Sequence, residues 1–465
     1  MTKIADAFRK ALGPDRVADD DEARKAHSLD YWFLAHLRAY QGRGGAGPVC
    51  VVTPRSTAEV ATAVRLAQHH GTAIVPYGGG SGVLGGSVPP DGAVAIDTRA
   101  MNQLLHLEET ALFARVQAGM MGDVYEATIH DRGYTTGHYP QSIARATMGG
   151  LVATRSAGQF STKYGNIEDL LLGLEAVLPS GNVIRLEPFP RASTGPALQE
   201  IFLGSEGALG IITEVTVKVF PRPERREVAS LAFKSVADGL EAIRRIIRPG
   251  WRPAVVRLYD RLETARHFSA QNAPANSCML LVVCEGPSAL AAAEMAACRA
   301  VVDEMGAADA GSAPVEHWLG HRNEVPSWDF FLKNGLVVDT IEVAATWDRV
   351  GKLYDDVVAS LQQVPDILNA SAHSSHSYPQ GTNLYITFAI RPDDYADAEA
   401  RYLEAWTRVM EATMAAGGTI AHHHGIGRLR VPWLERELKT AYPILQAIKR
   451  ALDPAGIMNP GALLR

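Results

Sequence analysis

Three consecutive histidines, His422, His423 and His424, stand directly before a Gly-Ile-Gly turn in the segment AHHHGIGRLR. Imidazoles ligate borderline metals such as zinc, and they also exchange protons near neutral pH. By itself the run leaves both chemistries open. In an extended segment successive side chains point to opposite faces, so the three cannot close together on one ion. His422 and His424 could share a face, which is half of a zinc site.

Two more residues carry chemistry. Tyr385 lies in NLYITFAI, where a phenol can pass a proton or simply pack its ring in a core. Arg257 lies in VVRLYD between valines and a leucine. A guanidinium on such a strand needs a buried counter-charge, Asp260 or Glu342, or else an anionic ligand. Far upstream, PYGGGSGVLGG (Pro76 to Gly86) holds six glycines and Ser81. Placed after a strand, its amides can converge on a phosphate. The spacing is not Gly-x-Gly-x-x-Gly opening a helix, so a Rossmann dinucleotide site is disfavoured.

These groups need a frame to position them. The chain has 465 residues, which favours two domains, and 47% of them are hydrophobic, enough for large cores. A net charge of −6 speaks against a nucleic-acid binder. No apolar run of roughly 18 residues occurs, so no transmembrane segment is expected. MTKIADAFRKALG reads as an amphipathic helix rather than a signal peptide. Cys50, Cys278, Cys284 and Cys298 lack metal or redox spacing; inert buried thiols and a cytoplasmic setting follow. Ser56 or Thr57 caps a helix after the strand PVCVVTP, and AIVPY is a second strand. In GIITEVTVKVFP, Ile212, Glu214, Thr216 and Lys218 alternate with Thr213, Val215, Val217 and Val219. Gly-rich loops between strands favour an α+β arrangement over a doubly wound sheet. PRPERR marks a boundary near residue 222. Beyond it, strand runs mix with helical patterns over Ser288–Met305 and Ala396–Ala416, implying helices on one face of an antiparallel sheet. The division expected is residues 1–45 (helical), 46–222, 223–430 and a C-terminal segment, 431–465, that returns to the second unit.

The glycine loop, SIARATMGGLVATRSAGQFSTKYGNIEDLLLGLEAVLPSG and LGSEGALGIITEVTVKVFP together resemble the flavin-binding domain of the vanillyl-alcohol oxidase and p-cresol methylhydroxylase superfamily. That resemblance implies a PCMH-type FAD domain of two subdomains with a cap domain over it. It implies FAD contacts from Pro76, Tyr77, Gly78, Gly79, Gly80, Ser81 and Gly82. Further contacts are implied from Gln141, Ser142, Thr147, Gly150, Thr154, Ser156 and Ala157, and from Glu206, Gly207, Gly210, Ile211 and Ile212. Covalent members carry a histidine in the first loop, where Ser81 stands nearest, and no cysteine serves a second attachment. FAD is therefore expected to be noncovalent.

The back half, with ATWDRVGKLY and GGTIAHHHGIGRLRVPWL, resembles the alkyldihydroxyacetonephosphate synthase branch, and a homodimer is the family expectation. In the neighbouring branch of FAD-linked D-lactate, glycolate and D-2-hydroxyglutarate dehydrogenases a metal-binding pattern occupies the same region. Here Tyr385 replaces its second histidine and His423 its glutamate, so a carboxylate-based metal site is dismantled and no metal is assigned. By resemblance Tyr385 is the acid/base, the histidine run lines its pocket, and Arg257 matches an active-site arginine. One departure concerns the substrate: Trp328, before Asp329 in VPSWDFF, stands where the synthases carry an arginine. A charge is exchanged for an aromatic wall, with Arg322 or His321 as possible substitutes and Glu342 beside them in the pocket. Two reactions follow as expectations. One is metal-independent hydride transfer from an alcohol or 2-hydroxy-acid carbon to flavin N5, with tyrosine or histidine assistance, on a small-molecule or lipid substrate. The alternative is ether formation through an N5 adduct, as in the synthases.

Overall fold

The computed structural model describes residues 3–464. Ser56 accepts the Glu59 amide to open the helix Thr57–His70, and Gly71 closes it in the left-handed conformation at φ 60°. This helix covers a four-stranded sheet in the order Val17–Ala18, Cys50–Val52, Val94–Asp97, Ile74–Tyr77, the last three parallel. A second, antiparallel sheet runs Leu104–Glu108, Phe113–Gln117, Ile211–Lys218, Leu171–Val177, Val183–Leu186. Val215 and Val217 are its buried centre. Between these two sheets lie the glycine loop and the loop around Gln141–Thr147.

The remaining large sheet has eight strands. Its order is Ala308–Asp309, Arg225–Phe233, Cys278–Gly286, Val255–Tyr259, Ile367–Ser374, Gly381–Ile390, Val337–Thr346, with Ser377–Tyr378 pairing to Gly381–Ile390. One face is apolar: Leu384, Ile386, Phe388 and Ile390 pack with Ile341, Val343, Leu258 and Leu280 beneath helices. Those helices are Val236–Ile247, Ser288–Glu304, Val350–Leu361 and Ala398–Ala415. Two match the helical patterns read from the sequence to within two residues at each end. The opposite face carries Asn383, Tyr385 and Thr387, because strand side chains alternate. That polar face looks toward the FAD loops.

Residues 1–45 do not form a core of their own. Ile4, Ala5 and Phe8 enter the core of the first sheet, whereas Phe33, Leu34 and Leu37 enter the core of the large sheet. The tail returns to the first sheet: Ile74 donates to Ile457 O at 2.9 Å and bridges Met458. All four cysteines are free and buried, and burial pushes the Cys50 thiol up to about 12.

The two cofactor loops touch through Gly79, where a Cβ would stand 1.7 Å from the Arg145 carbonyl oxygen. Backbone cannot yield there, so Gly79→Ala must push the loops apart. Flavin retention after gel filtration should fall at least about tenfold, ~1.4 kcal/mol, with helix content by circular dichroism unchanged. Wild-type retention would show that the loops do not close as described.

Candidate active site

Register alone assembles one wall of the site. Glu342 lies opposite Tyr385, Tyr385 opposite His373, and His373 opposite Tyr259, across four neighbouring strands. Directly paired residues share a face, so these four side chains form one transverse row, with Arg257 two residues before Tyr259 on the same face. The His373 ring stacks 4.7 Å from that of Tyr385.

Glu342 and Arg430 are both fully buried. Arg430 meets the carboxylate through two nitrogens, each at 2.9 Å. The same carboxylate accepts the backbone amides of His422, His423 and His424 at 3.3, 3.1 and 2.7 Å. His424 Nδ1 lies 2.7 Å from its second oxygen. Burial would raise the Glu342 carboxyl, but Arg430 and His424 hold it well below the ordinary range. The histidine run is thus wrapped around a carboxylate rather than extended, and the expected alternation of its side chains fails. His422 Nδ1 and His423 Nδ1 stand only 2.8 Å apart. Glu342 is not a pocket wall; it lies behind one. His422 also falls behind the cavity surface, whereas His423 and His424 line it.

His376, which the sequence reading passed over, joins this cluster. Its Nδ1 meets Ser161 Oγ at 2.7 Å, and its ring stacks 5.1 Å from that of His422. His376, His422 and His423 bring one ligating atom each to within 4.8 Å of one another, compact enough to enclose an ion. Hydrogen bonds already occupy both His422 nitrogens and one on each of the other two, so a three-histidine cage would have to break one of them. Burial keeps His422 down to about 4 and His376 and His423 well below the usual imidazole range. All three are neutral at pH 7. Burial pushes the Tyr385 phenol up to about 12, with Thr340 opposing, so it keeps its proton.

Neither counter-charge expected for Arg257 is used. Its Nε donates to Tyr259 Oη at 2.6 Å, and its Nη2 meets His373 Nε2 at 2.5 Å. A guanidinium only donates, so His373 accepts there and carries its proton on Nδ1, toward Glu263 Oε2 at 2.6 Å. Burial and Arg257 push His373 down to about 4, which fits the neutral form. Among the described residues no carboxylate pairs with Arg257. Arg322 also lacks one: it donates to Gln159 Oε1 at 2.9 Å and lies over Tyr139 and Phe160. Trp328 donates to Tyr31 O at 3.0 Å and stacks against Tyr31, forming an aromatic side of the cavity.

The opposite side is a cradle. A cavity of about 930 Å³ runs from the row Tyr259–His373–Tyr385 to the glycine loop, and every residue assigned to FAD by resemblance lines it. The amides of Gly79, Gly80, Ser81 and Gly82 donate to no group of the chain among the described residues. Four free donors at a positive-φ glycine (Gly80, 65°) make a nest for a diphosphate, so the residues present fit FAD. Glu206 lines the cavity too, but its carboxylate accepts the amides of Ile426 and Gly427 at 2.6 and 2.8 Å, clamping the cap's turn to the cofactor domain. A Cβ on Gly427 would meet Leu84 O at 2.2 Å, which accounts for that glycine of the Gly-Ile-Gly turn.

Residues 48–187 match the model of an FAD binding domain, and residues 222–463 that of the C-terminal domain of FAD linked oxidases. The chain is 34% identical to the uncharacterised FAD-linked oxidoreductase YgcU of Escherichia coli K12, over 99% of this chain and 98% of that protein. It is 30% identical to the alkyldihydroxyacetonephosphate synthase of Dictyostelium discoideum, over 97% of this chain and 79% of that one. A solved alkyldihydroxyacetonephosphate synthase superposes with a TM-score of 0.85 at 29% identity, covering 99% of this chain and 86% of the other. No described helix is long and apolar enough to cross a membrane. With both domain models matched in order and an FAD cradle facing a polar cap sheet, this chain belongs to the FAD-linked oxidase family.

Proposed function

We propose that this protein oxidises the carbinol carbon of a small anionic alcohol, with a 2-hydroxy acid as the substrate class. The observation that carries this is the unpaired Arg257 guanidinium, set in one row with Tyr385 on the cavity face. A half-buried cation without a counter-ion costs several kcal/mol unless a ligand supplies the charge. The substrate carboxylate fills that place, with Arg322 as a second cation in the same cavity. Bound FAD supplies the hydride acceptor.

The chain's own groups handle the proton. Tyr385 stays protonated and donates a hydrogen bond to the substrate oxygen. His423, which lines the cavity and is neutral, is the group able to accept the substrate proton, since a neutral imidazole keeps one lone pair free. Trp328 and Tyr31 close the side where the likeness to the synthases expects a charged arm, which suits a compact substrate. Ether formation is the second reading, favoured by the 30% identity to an alkyldihydroxyacetonephosphate synthase.

Anaerobic mixing with a panel of 2-hydroxy acids should bleach the oxidised flavin absorbance. If none bleaches it while acyl-dihydroxyacetonephosphate and a fatty alcohol yield an ether, the oxidation is wrong and the second reading stands. Arg257→Met removes charge-assisted bonds worth about 1.5–3 kcal/mol. KM for an anionic substrate should then rise about 10- to 100-fold, with oxidation of its neutral ester unaffected. Equal losses for both would remove Arg257 from carboxylate binding.

The pH dependence has a fixed sign. Because burial lowers the histidines, with His422 and His373 near 4, kcat/KM should show no acid limb at the ordinary imidazole value of about 6.5. The unfolded chain takes up these protons from about pH 6.5 downward, the folded one only near 4. Their stabilisation is complete above that window and is lost as pH falls through it. Thermal unfolding temperature followed from pH 8 to 4.5 should decline across the same range; a flat curve would contradict buried neutral imidazoles.

A further inference from the structure

One half-buried group, Tyr378, has no task in the oxidation proposed above. Tyr378, on the short strand Ser377–Tyr378, sits behind the cavity wall and is partly exposed. Its phenol oxygen accepts from Asn166 Nδ2 at 2.8 Å and meets His422 Nε2 at 2.8 Å. His422 Nδ1 in turn meets His423 Nδ1 at 2.8 Å. His423 lines the cavity and His422 does not, so the remaining nitrogen, His423 Nε2, is the inner end of the chain.

We propose that His423, His422 and Tyr378 form a proton relay that carries the substrate hydroxyl proton out of the cavity to the phenol of the half-buried Tyr378. The relay rests on the oxidation proposed above. Each neutral imidazole holds one proton and offers one donor and one acceptor nitrogen, so the chain has two registers. In the first, His423 holds its proton on Nδ1, His422 on Nε2, and His423 Nε2 carries a lone pair. The substrate proton binds His423 Nε2, the Nδ1 proton passes to His422 Nδ1, the His422 Nε2 proton passes to Tyr378 Oη, and the phenol proton leaves to water. That is the second register. The reverse shift, with the His423 Nε2 proton lost to water in the emptied cavity, resets the chain. The balance is one proton released per substrate oxidised.

The need for such a path is physical. With substrate and cofactor bound, the cavity side of His423 would be covered, and a trapped proton would leave an imidazolium against His376 and His424. Glu342 cannot take it: its oxygens already face three amides, Arg430 and His424. The outer route is the one with hydrogen-bonded atoms at every step. Tyr378 and His422 touch neither substrate nor cofactor and act through His423.

The decisive variant is Tyr378→Phe in the holoenzyme. Flavin bleaching and proton release, the latter from a pH indicator in the same stopped-flow experiment, should be synchronous in the parent. In the variant bleaching should slow at least about tenfold, with substrate affinity and FAD content unchanged. Added imidazole buffer should not restore it in the parent-like closed cavity, but His422→Gly should be partly rescued by imidazole. A second readout needs no substrate: ¹⁵N spectra of histidine-labelled holoenzyme should show His422 and His423 neutral, with tautomer populations that shift in Tyr378→Phe. Unchanged bleaching in the variant, or imidazole signals that do not move, would overturn the relay. If no alcohol bleaches even the parent, the oxidation falls, and the nitrogen spectra still decide whether the chain exists.

Discussion

The Glu342–Arg430 pair is the constraint from which the site's geometry follows. Both groups are removed from water, and losing one partner of such a pair costs about 3–5 kcal/mol, because the other charge is left buried alone. A single neutral hydrogen bond contributes about 1 kcal/mol. The pair therefore outranks any individual contact of the histidine run and dictates its path. Three successive amides point at one carboxylate oxygen, which is possible only if the backbone curls around it. That curl places His422 and His423 nitrogen to nitrogen and leaves His424 against the second oxygen. Arg430 also donates to Gly425 O at 2.9 Å, at the start of the turn that meets the cofactor domain. One ion pair thus fixes both the imidazoles and the docking of the cap on the FAD domain.

That docking adds small residues and captured charges to the apolar contact of Phe160 and Tyr164 with Tyr259, Met279 and Leu281 of the cap. Glu206, with φ 49°, reaches across to the Ile426 and Gly427 amides, and Asn459 joins Gly86 O to Glu206 O. Arg428 threads the same gap, donating to Val88 O and Pro460 O. Side chains larger than hydrogen at Gly425 or Gly427 would enter Glu206 or Leu84. The Gly-Ile-Gly motif is thus a packing requirement.

Much of this was legible before any coordinates. Strict alternation in TNLYITFAI separates the apolar set Leu384, Ile386, Phe388 and Ile390 from the polar set Asn383, Tyr385 and Thr387, of which the last two line the cavity. The glycine loop reads as an anion nest from its position after AIVPY, and its free amides agree. Other features were beyond reach for definite reasons. Extended geometry was assumed for the histidine run because no local signal announces a carboxylate 80 residues upstream. From the sequence Glu342 reads as a counter-charge for Arg257 or a pocket residue, because whether it faces the pocket or the run depends on pairing registers. His373, His376 and Tyr378 sit in the polar stretch ASAHSSHSYPQG, which lacks the apolar periodicity that marks a strand. Their partners Glu263, Ser161 and Asn166 are more than 100 residues away. The available clue was the density of histidines and serines just before a strand already suspected of carrying the acid/base tyrosine.

The same register logic separates what the cap sheet shares with its relatives from what is its own. A row of four polar or aromatic side chains across Val255–Tyr259, Ile367–Ser374, Gly381–Ile390 and Val337–Thr346 presents a tyrosine, an imidazole and a nearby guanidinium at fixed spacings of about 5 Å. Such a row orients an anionic group at one end and a proton-bearing oxygen at the other, whatever the reaction between them. What selects the reaction is the charge and width of the remaining walls. Here one wall is Trp328 with Tyr31 and Phe331, an aromatic surface on which the Trp328 indole donates to the Tyr31 backbone, while the Tyr31 hydroxyl has no partner among the described residues. The charge on that side comes from Arg145, whose guanidinium lies 5.2 Å over the Tyr31 ring and also lines the cavity. On the proposed reading a substrate carboxylate would meet the unpaired Arg257, and the carbon bearing the hydroxyl would fall between Tyr385 and the cofactor cradle.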